Sequence, residues 1–333
     1  MSLPDPVRSS SFAVLKALAD GRLRSGPALA AELGLERAAV SQAMRELRAN
    51  GLALHAVSGR GYRLAEPFDA LDAAAIAAAL GPHAGAIRLE ILDECASTNA
   101  LAAERAAAGA PAGTAVLCEV QSAGRGRRGA GWYSGLGTSL TFSLLWRFHR
   151  GAASLGGLPL AIGVACARAL ESLGADGVGL KWPNDIVRDD GKLGGILVEA
   201  SGDAGRTAAV IGVGINVWLP AAAKCAIGRP VADLAGAIGS KRALASRNAL
   251  AGRVLGEIAR AAPRFERAGF GAFRDEWLRR HAWQGRRVRV LAPSRRTVDG
   301  VAAGVADDGA LIVDTPRGPE RFHSAEVSLR RAA

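Results

Sequence analysis

The chain contains no run of about 18 uninterrupted apolar residues, and its N-terminus shows no basic-then-apolar signal pattern. A membrane-spanning helix and a secretory leader are therefore not expected, and the reading is of a cytoplasmic protein with no membrane partner. Cysteine is scarce. The four present, Cys95, Cys118, Cys166 and Cys225, are dispersed without a C-x-x-C pair, so they read as reduced and mostly buried small residues, not as a disulfide framework or redox motif. The five histidines are equally scattered, which argues against a protein-ligated zinc site. No Ser-His-Asp or Cys-His arrangement stands out, and no internal repeat or low-complexity tract is visible.

What is present is 333 residues, 49% hydrophobic and 22% charged, enough for two or three globular domains. The formal net charge of +11 suggests a polyanionic partner. Because the excess is mostly arginine amid abundant alanine and glycine, a bias GC-rich genomes produce, its distribution says more than its size. Residues 1–65 carry nine Lys/Arg against five Asp/Glu, and residues 279–333 carry eleven against six. The two ends are basic.

Three segments separate on pattern. In residues 9–64, Phe12, Val14, Leu15 and Leu18 recur at helical spacing before Gly21, and Ser25 precedes a second helix through Leu33 that Gly34 ends. Glu36 to Ala49 reads as a third helix. Ala39, Val40, Met44 and Leu47 are placed inward, and Arg37, Ser41, Gln42, Arg45 and Arg48 outward. Two short strands follow, around 52–57 and 62–64, joined through Ser58-Gly59-Arg60-Gly61. Helix, glycine turn, basic-faced helix and hairpin describe a winged helix-turn-helix, with a helical cap bearing a hairpin as the plainer alternative.

An alanine-rich helix over 71–80 connects to residues 88–275, where strands alternate with helices. Strands are expected at 87–92, 115–120, 139–145, 179–182, 195–199 and 208–215, and helices at 98–108, 158–173, 246–268 and 271–281. Residues 219–245 give little signal beyond Pro220 to Lys224, and a mobile loop is expected there. From Gly285 onward, short strands at 287–291, 298–305, 311–314 and 326–329 suggest a small β-barrel-like module.

Gly124-Arg125-Gly126-Arg127-Arg128-Gly129-Ala130-Gly131-Trp132 satisfies G-x-G-x-x-G. A dinucleotide fingerprint also needs a helix opening after it and an acid about 20 residues on. Here glycines and a serine follow, and no carboxylate appears between Glu119 and Glu171. What remains is a glycine-hinged loop with three guanidinium groups, suited to an anionic, phosphate-containing ligand, or else a solvated surface loop. Other clusters follow in order. Ser97-Thr98-Asn99 offers hydroxyls and an amide for helix capping or for a polar ligand. Gln121 leads into the arginine loop. Lys181-Trp182-Pro183-Asn184-Asp185 places a cation, an amide and a carboxylate at a strand end. Lys192 precedes Gly194-Gly195, and Gly212-Val213-Gly214-Ile215-Asn216 ends another strand with glycines where backbone approaches a ligand closely.

Taken together, these stretches resemble the biotin protein ligases of the bifunctional type that also repress biotin biosynthesis. Gly124–Gly129 with Trp132, Lys181–Asp185, Lys192–Leu197 and Gly212–Asn216 match that family's signatures in order, and the resemblance covers nearly the whole chain. It implies an α+β multidomain fold: a winged helix-turn-helix over 1–66, a class II synthetase-like mixed α/β catalytic domain over 67–282, and an SH3-like barrel over 283–333. It implies activation of biotin by ATP with Mg2+ to biotinyl-5′-AMP, transfer to a lysine of the biotin carboxyl carrier protein, and operator binding by a ligand-dependent homodimer. By resemblance, Lys192, Arg125 and Arg127 are catalytic, and Ser97, Thr98, Asn99, Gln121, Gly126, Gly194 and Gly195 join them around biotin. Trp132, Lys181, Asn184, Asp185 and Asn216 are assigned to ATP or the adenylate, with no resident metal and Mg2+ accompanying ATP near Asp185. Arg37, Ser41, Gln42, Arg45 and Arg60 are assigned to DNA. Arg330 is weighed between reaching the active site and plain surface charge. The alternatives are a ligand-sensing repressor without ligase activity and a lipoate ligase.

Overall fold

The computed structural model describes residues 8–202, 205–239, 246–291, 297–323 and 328–331, with side chains through 323. The N-terminal unit holds helices α1 (Ser9–Ala17), α2 (Gly26–Leu33) and α3 (Arg37–Ala49) and the antiparallel hairpin β1 (Leu54–Val57) and β2 (Gly61–Leu64). Ser25 starts α2 by accepting from the Ala28 amide at 3.2 Å, and Gly34, at φ +62°, ends it. Gly61 has no substitute at φ +124°, because a Cβ there would lie 2.1 Å from the Arg24 carbonyl oxygen. Phe12, Leu15, Leu18, Leu29, Val40, Met44 and Leu47 form the core of this unit, and Ala43 is buried where Ala39, expected inward, is only half-buried. The core does not stop at the unit's edge. Val120 and Leu136 of the next unit belong to it, with Phe68 packed alongside.

After α4 (Ala73–Leu80), capped by Asp72, the central unit runs β3 (Arg88–Cys95), α5 (Thr98–Ala107), β4 (Thr114–Gln121), β5 (Ser139–Phe148), α6 (Leu158–Ser172), β6 (Val178–Lys181), β7 (Asp185–Arg188), β8 (Gly191–Gly202), β9 (Thr207–Asn216), α7 (Ala221–Ile227), α8 (Leu234–Ile238), α9 (Arg247–Ala268) and α10 (Gly271–Arg279). The sheet order is β3-β4-β5-β9-β8-β7-β6, parallel between β3 and β4 and antiparallel elsewhere. Alternation along β5 and β9 divides the sheet. Leu140, Phe142, Leu144, Ile211, Val213 and Ile215 join the large core that α6 and α9 fill, while Leu145 and Val210 pack with Ala102 of α5 on the other face. Helix α6 and the turn before it are apolar and long enough to cross a membrane, but the stretch is 72% buried inside the protein and packs on α9 as a core helix.

The 219–245 stretch departs from the expected mobile loop over its described part. It contains α7 and α8, fastened by Asp233, which accepts from the amides of Gly236 at 2.9 Å and Leu219 at 3.1 Å and pairs with Lys224 at 2.9 Å. The Gly236 bond is a local helix cap, but the bonds to Leu219 and Lys224 reach back along the chain and leave no periodic trace. At the other edge, Arg247 and Glu119 make an ion pair at 2.8 Å with both side chains at least 95% buried. Glu119 also accepts from the Leu71 amide at 2.6 Å, and Asn248 donates to Asp69 and to the Ala70 carbonyl. The connector between the first two units is thereby fixed to β4 and α9.

The C-terminal unit is an antiparallel sheet of β10 (Arg287–Leu291), β11 (Thr297–Val305), β12 (Leu311–Thr315), β13 (Gly318–Phe322) and β14 (Ser328–Arg331) in the order β13-β12-β11-β10-β14. Its core residues Val288, Val290, Ala302 and Leu311 are continuous with Trp277 and Trp283. β13 escaped the sequence reading because it is an edge strand holding Pro319, Glu320 and Arg321, the residue types that edges tolerate. Arg330 lies outside the described side chains. Cys118 and Cys166 are buried, Cys95 half-buried and Cys225 exposed, and all four are free.

His281, 6% exposed, packs against Trp277 with ring centres 4.5 Å apart and planes tilted by 38°; its Nδ1 lies 2.9 Å from Gln284 Oε1, and its Nε2 has no partner among the described residues. Burial pushes its pKa down to about 4. The unfolded chain therefore binds this proton from about pH 6.5 while the folded chain does not, so His281 contributes stability in full above that pH and loses it as pH falls toward 4. The loss amounts to about 3 kcal/mol. Urea unfolding of wild type and His281→Phe at pH 4.5 and 7.5 tests this: the variant is expected to lose distinctly less stability on acidification, and parallel losses would refute it.

Candidate functional site

One pocket gathers most of the sequence candidates from four separate segments. Ser97, Thr98, Asn99, Gln121, Arg125, Gly126, Arg127, Trp132, Lys181, Asn184, Asp185, Lys192 and Gly195 all line it. Gly194 and Asn216 do not. Gly194 lies against the Gly214 carbonyl, and the Asn216 amide donates to the backbone oxygens of Lys192 and Ala232, both at 3.0 Å, lining a neighbouring cleft with Trp132 and Arg229.

The pocket's inner end is polar and buried. Ser97 is the residue before α5 but makes no capping bond through its side chain, which leaves its hydroxyl to the pocket rather than to the expected cap. Gln121 Oε1 accepts from the Thr98 amide at 2.8 Å and the Thr98 hydroxyl at 3.2 Å. The Ser143 hydroxyl reaches Thr98 Oγ1 at 2.8 Å and donates to Asn99 Oδ1 at 2.6 Å, and Asn99 Nδ2 donates to Glu199 at 2.7 Å. Ser143 and Glu199 were not among the sequence candidates. The alternating hydroxyl residues Ser139, Thr141 and Ser143 of β5 and the single carboxylate of β8 were the signals available, and neither reveals its partner.

The floor is strand without side chains. A Cβ on Gly212 would lie 2.0 Å from Asn99 Oδ1, and one on Gly214 would lie 2.5 Å from the Trp132 ring. Over this floor the arginine loop folds as a tight hairpin. The Trp132 amide donates to Gly124 O at 2.8 Å, the Gly126 amide to Ala130 O at 2.6 Å, and Arg125 bridges Gly131. A single 3-10 turn at Arg127–Gly129, with Arg128 at φ +57°, takes the place a dinucleotide fold gives to a helix.

At the mouth the cations meet their partners. Lys192 Nζ lies 2.5 Å from Asp185 Oδ1 and 5.7 Å from the Trp132 ring centre. Arg127 donates to Asn184 Oδ1 at 3.4 Å. Burial lowers the Arg127 pKa and neighbouring Arg128 adds to this, opposed by Asp185. Lys181 sits 4.1 Å from the ring centre of Trp283, in the link between α10 and β10. Among the described residues no group of three or more His, Cys, Asp or Glu could hold a metal. A neutral polar end and a cationic mouth suit an elongated ligand with a hydrogen-bonding head and an anionic tail.

The DNA candidates lie elsewhere, on the N-terminal unit. Arg37, Ser41 and Arg60 line a groove between α3 and the β1–β2 hairpin. Gln42 and Arg45 bond to each other, and Gln42 bonds to Glu46 at 3.1 Å.

Residues 94–216 match the biotin/lipoate A/B protein ligase family, 285–330 the biotin protein ligase C-terminal domain, and 11–63 an HTH domain. The bifunctional ligase/repressor BirA of Escherichia coli is 35% identical over 95% of this chain and 95% of its own length, and that of Salmonella typhimurium 35% over 96% and 97%. The chain belongs to the bifunctional biotin ligase/repressor family. Biotin protein ligase from Aquifex aeolicus, solved in complex with biotin and ATP, is similar in structure with a TM-score of 0.62 and 27% identity, covering 74% of this chain and 99% of that one. The biotin ligase of Mycobacterium tuberculosis, 32% identical, covers 71% of this chain. For a biotin ligase, the three matched regions follow the three units of the fold.

Placing Ala at Gly212 is expected to displace the Asn99 amide and leave buried polar groups unpaired, costing about 1–3 kcal/mol. Gly205→Ala, whose Cβ would meet nothing within 4 Å, is expected to change stability little. Urea midpoints measure both, and equal effects would disprove the steric account.

Proposed function

We propose that the chain condenses biotin with ATP to give biotinyl-5′-AMP and pyrophosphate. It then transfers the biotinyl group to a lysine of the biotin carboxyl carrier protein of acetyl-CoA carboxylase, releasing AMP. With biotinyl-AMP as co-repressor, a ligand-dependent homodimer binds operator DNA of the biotin genes, in the cytoplasm. The observation that carries this reading is the polarity of one pocket: neutral hydroxyls and amides inside, Arg127 and Lys192 at the mouth.

Ser97, Thr98 and Gln121 hydrogen-bond the ureido ring, where a ligand lacking matching groups forfeits about 1–3 kcal/mol for each polar group left unpaired. Gly195 keeps the wall open beside Trp132 and Lys192. The biotin carboxylate and the α-phosphate are both anionic, and their repulsion opposes attack. Arg127 and Lys192 offset it, and Lys192 stabilises the charge that grows on phosphoryl oxygen as the new bond forms. No nucleophilic side chain is needed, since the substrate's own carboxylate attacks. Trp132 and the closed hairpin keep water from the mixed anhydride.

Lys181, Asn184 and Asp185 face the triphosphate. Asp185 has one oxygen turned to Lys192, which fits a Mg2+ ion carried in by the nucleotide and holding most of its ligands as phosphate and water. That ion would neutralise phosphate charge. Arg37, Ser41 and Arg60 contact DNA from the α3 groove, with Gln42 and Arg45 beside them. The same reading assigns domain limits of 1–66, 67–282 and 283–333, a class II synthetase-like centre and an SH3-like C-terminal barrel.

Incubation with radiolabelled biotin, ATP, Mg2+ and apo carrier domain is expected to label the carrier lysine, and an unlabelled carrier eliminates the ligase assignment. Arg127→Ala is expected to speed biotinyl-AMP dissociation by about 10- to 100-fold, the scale of losing one hydrogen bond to a charged group. An unchanged rate rejects its role.

A further inference from the structure

We propose that Glu199 is a positioning residue that fastens the arginine loop to the pocket floor, and that Arg125 serves as the loop's anchor. Glu199 Oε2 accepts from Asn99 Nδ2 at 2.7 Å, and Arg125 Nη2 lies 3.3 Å from Oε1 and 3.4 Å from Oε2 of the same carboxylate. One side chain thus touches both parts.

The floor side of this bridge is rigid. Asn99 is 4% exposed, and Gly212 lies directly beneath its amide. Its Oδ1 faces the Ser143 hydroxyl, and its Nδ2 is shared between Glu199 and the Leu197 carbonyl at 3.4 Å. A flipped amide would turn oxygen toward carboxylate, so Glu199 also sets which way Asn99 faces. The loop side is the hairpin's neck. Arg125 pairs with Gly131 through its backbone, one step from the Gly124–Trp132 bond that seats Trp132 on Gly214. An exposed ion pair formed between two flexible side chains holds little. Here the carboxylate is already placed by a buried amide, so much of its ordering cost falls on the core and not on the loop.

Arg125 and Arg127 therefore divide the work. Arg125 is turned to the protein and closes the loop, while Arg127 lies inward beside Asn184 and Asp185. The anchor is a property of the chain itself, and its effect on catalysis rests on the ligase assignment.

Limited trypsin digestion of the full-length protein without ligands, with cleavage after Arg127 and Arg128 followed by mass spectrometry, tests the anchor. Glu199→Gln, Glu199→Ala and Arg125→Ala are each expected to speed cleavage about five-fold, because proteolysis follows the population of the opened loop. The Arg125→Ala/Glu199→Ala double variant is expected to be no faster than either single change, the signature of one shared interaction. Unchanged cleavage in both Glu199 variants, or effects that multiply in the double variant, would overturn the proposal. In steady-state assays Glu199→Ala is expected to raise KM for biotin more than Glu199→Gln does, because glutamine keeps an acceptor for Asn99. Equal KM values refute the floor contact. Should Glu199→Ala fail to fold, the Glu199→Gln digestion decides alone. Faster cleavage in a protein whose wild type labels no carrier would keep the anchor and remove the ligase reading.

Discussion

The site depends on two strands meeting without side chains between them. Gly195 of β8 stands opposite Gly214 of β9, and Gly212 lies two residues along on the same face. Into the volume they vacate come the Trp132 ring and the Asn99 amide, one from a loop and one from a helix, at distances a single Cβ on Gly214 or Gly212 would forbid. Everything else is placed relative to that floor. Trp132 brings the arginine loop down, and Asn99 carries the hydrogen-bond chain from Ser143 to Glu199. Lys192, at the start of β8, is thereby held over the mouth beside Asp185.

Charge is organised around the same geometry. Four of the pocket's cations face partners: Lys192 on Asp185, Arg125 on Glu199, Arg127 toward Asn184, and Lys181 over Trp283. Such pairing offsets the mutual repulsion of positive groups gathered in a half-buried pocket. The central sheet also ties the site to the rest of the chain. β4 carries Gln121 into the pocket, sends Glu119 to the connector and to Arg247, and contributes Val120 to the core of the N-terminal unit.

Much of this was legible as pattern. The helices of the N-terminal unit follow from apolar spacing with Ser25 and Gly34 as start and stop, and β5 and β9 from their alternation. The arginine loop could be told from a dinucleotide fingerprint because the residues after it cannot open a helix. What pattern could not give were elements whose stability is nonlocal. α8 is tied down where its cap residue Asp233 also meets Leu219 and Lys224, β13 rests on β12 alone, and Ala43 is buried in place of Ala39 because a neighbouring helix decides the buried arc. Ser97, read as either a helix cap or a ligand contact, makes no side-chain cap.

Residue order alone establishes the inventory: which hydroxyls, amides, cations and glycines exist, in what succession, and hence the family. Those are local facts, readable from residue type and spacing. The pairings arise on folding, since Glu199 and Arg125 stand 74 residues apart and Glu119 and Arg247 farther still. A guanidinium's role is set by the carboxylate or ligand within reach of it, and only the folded sheet brings those groups to within hydrogen-bond distance.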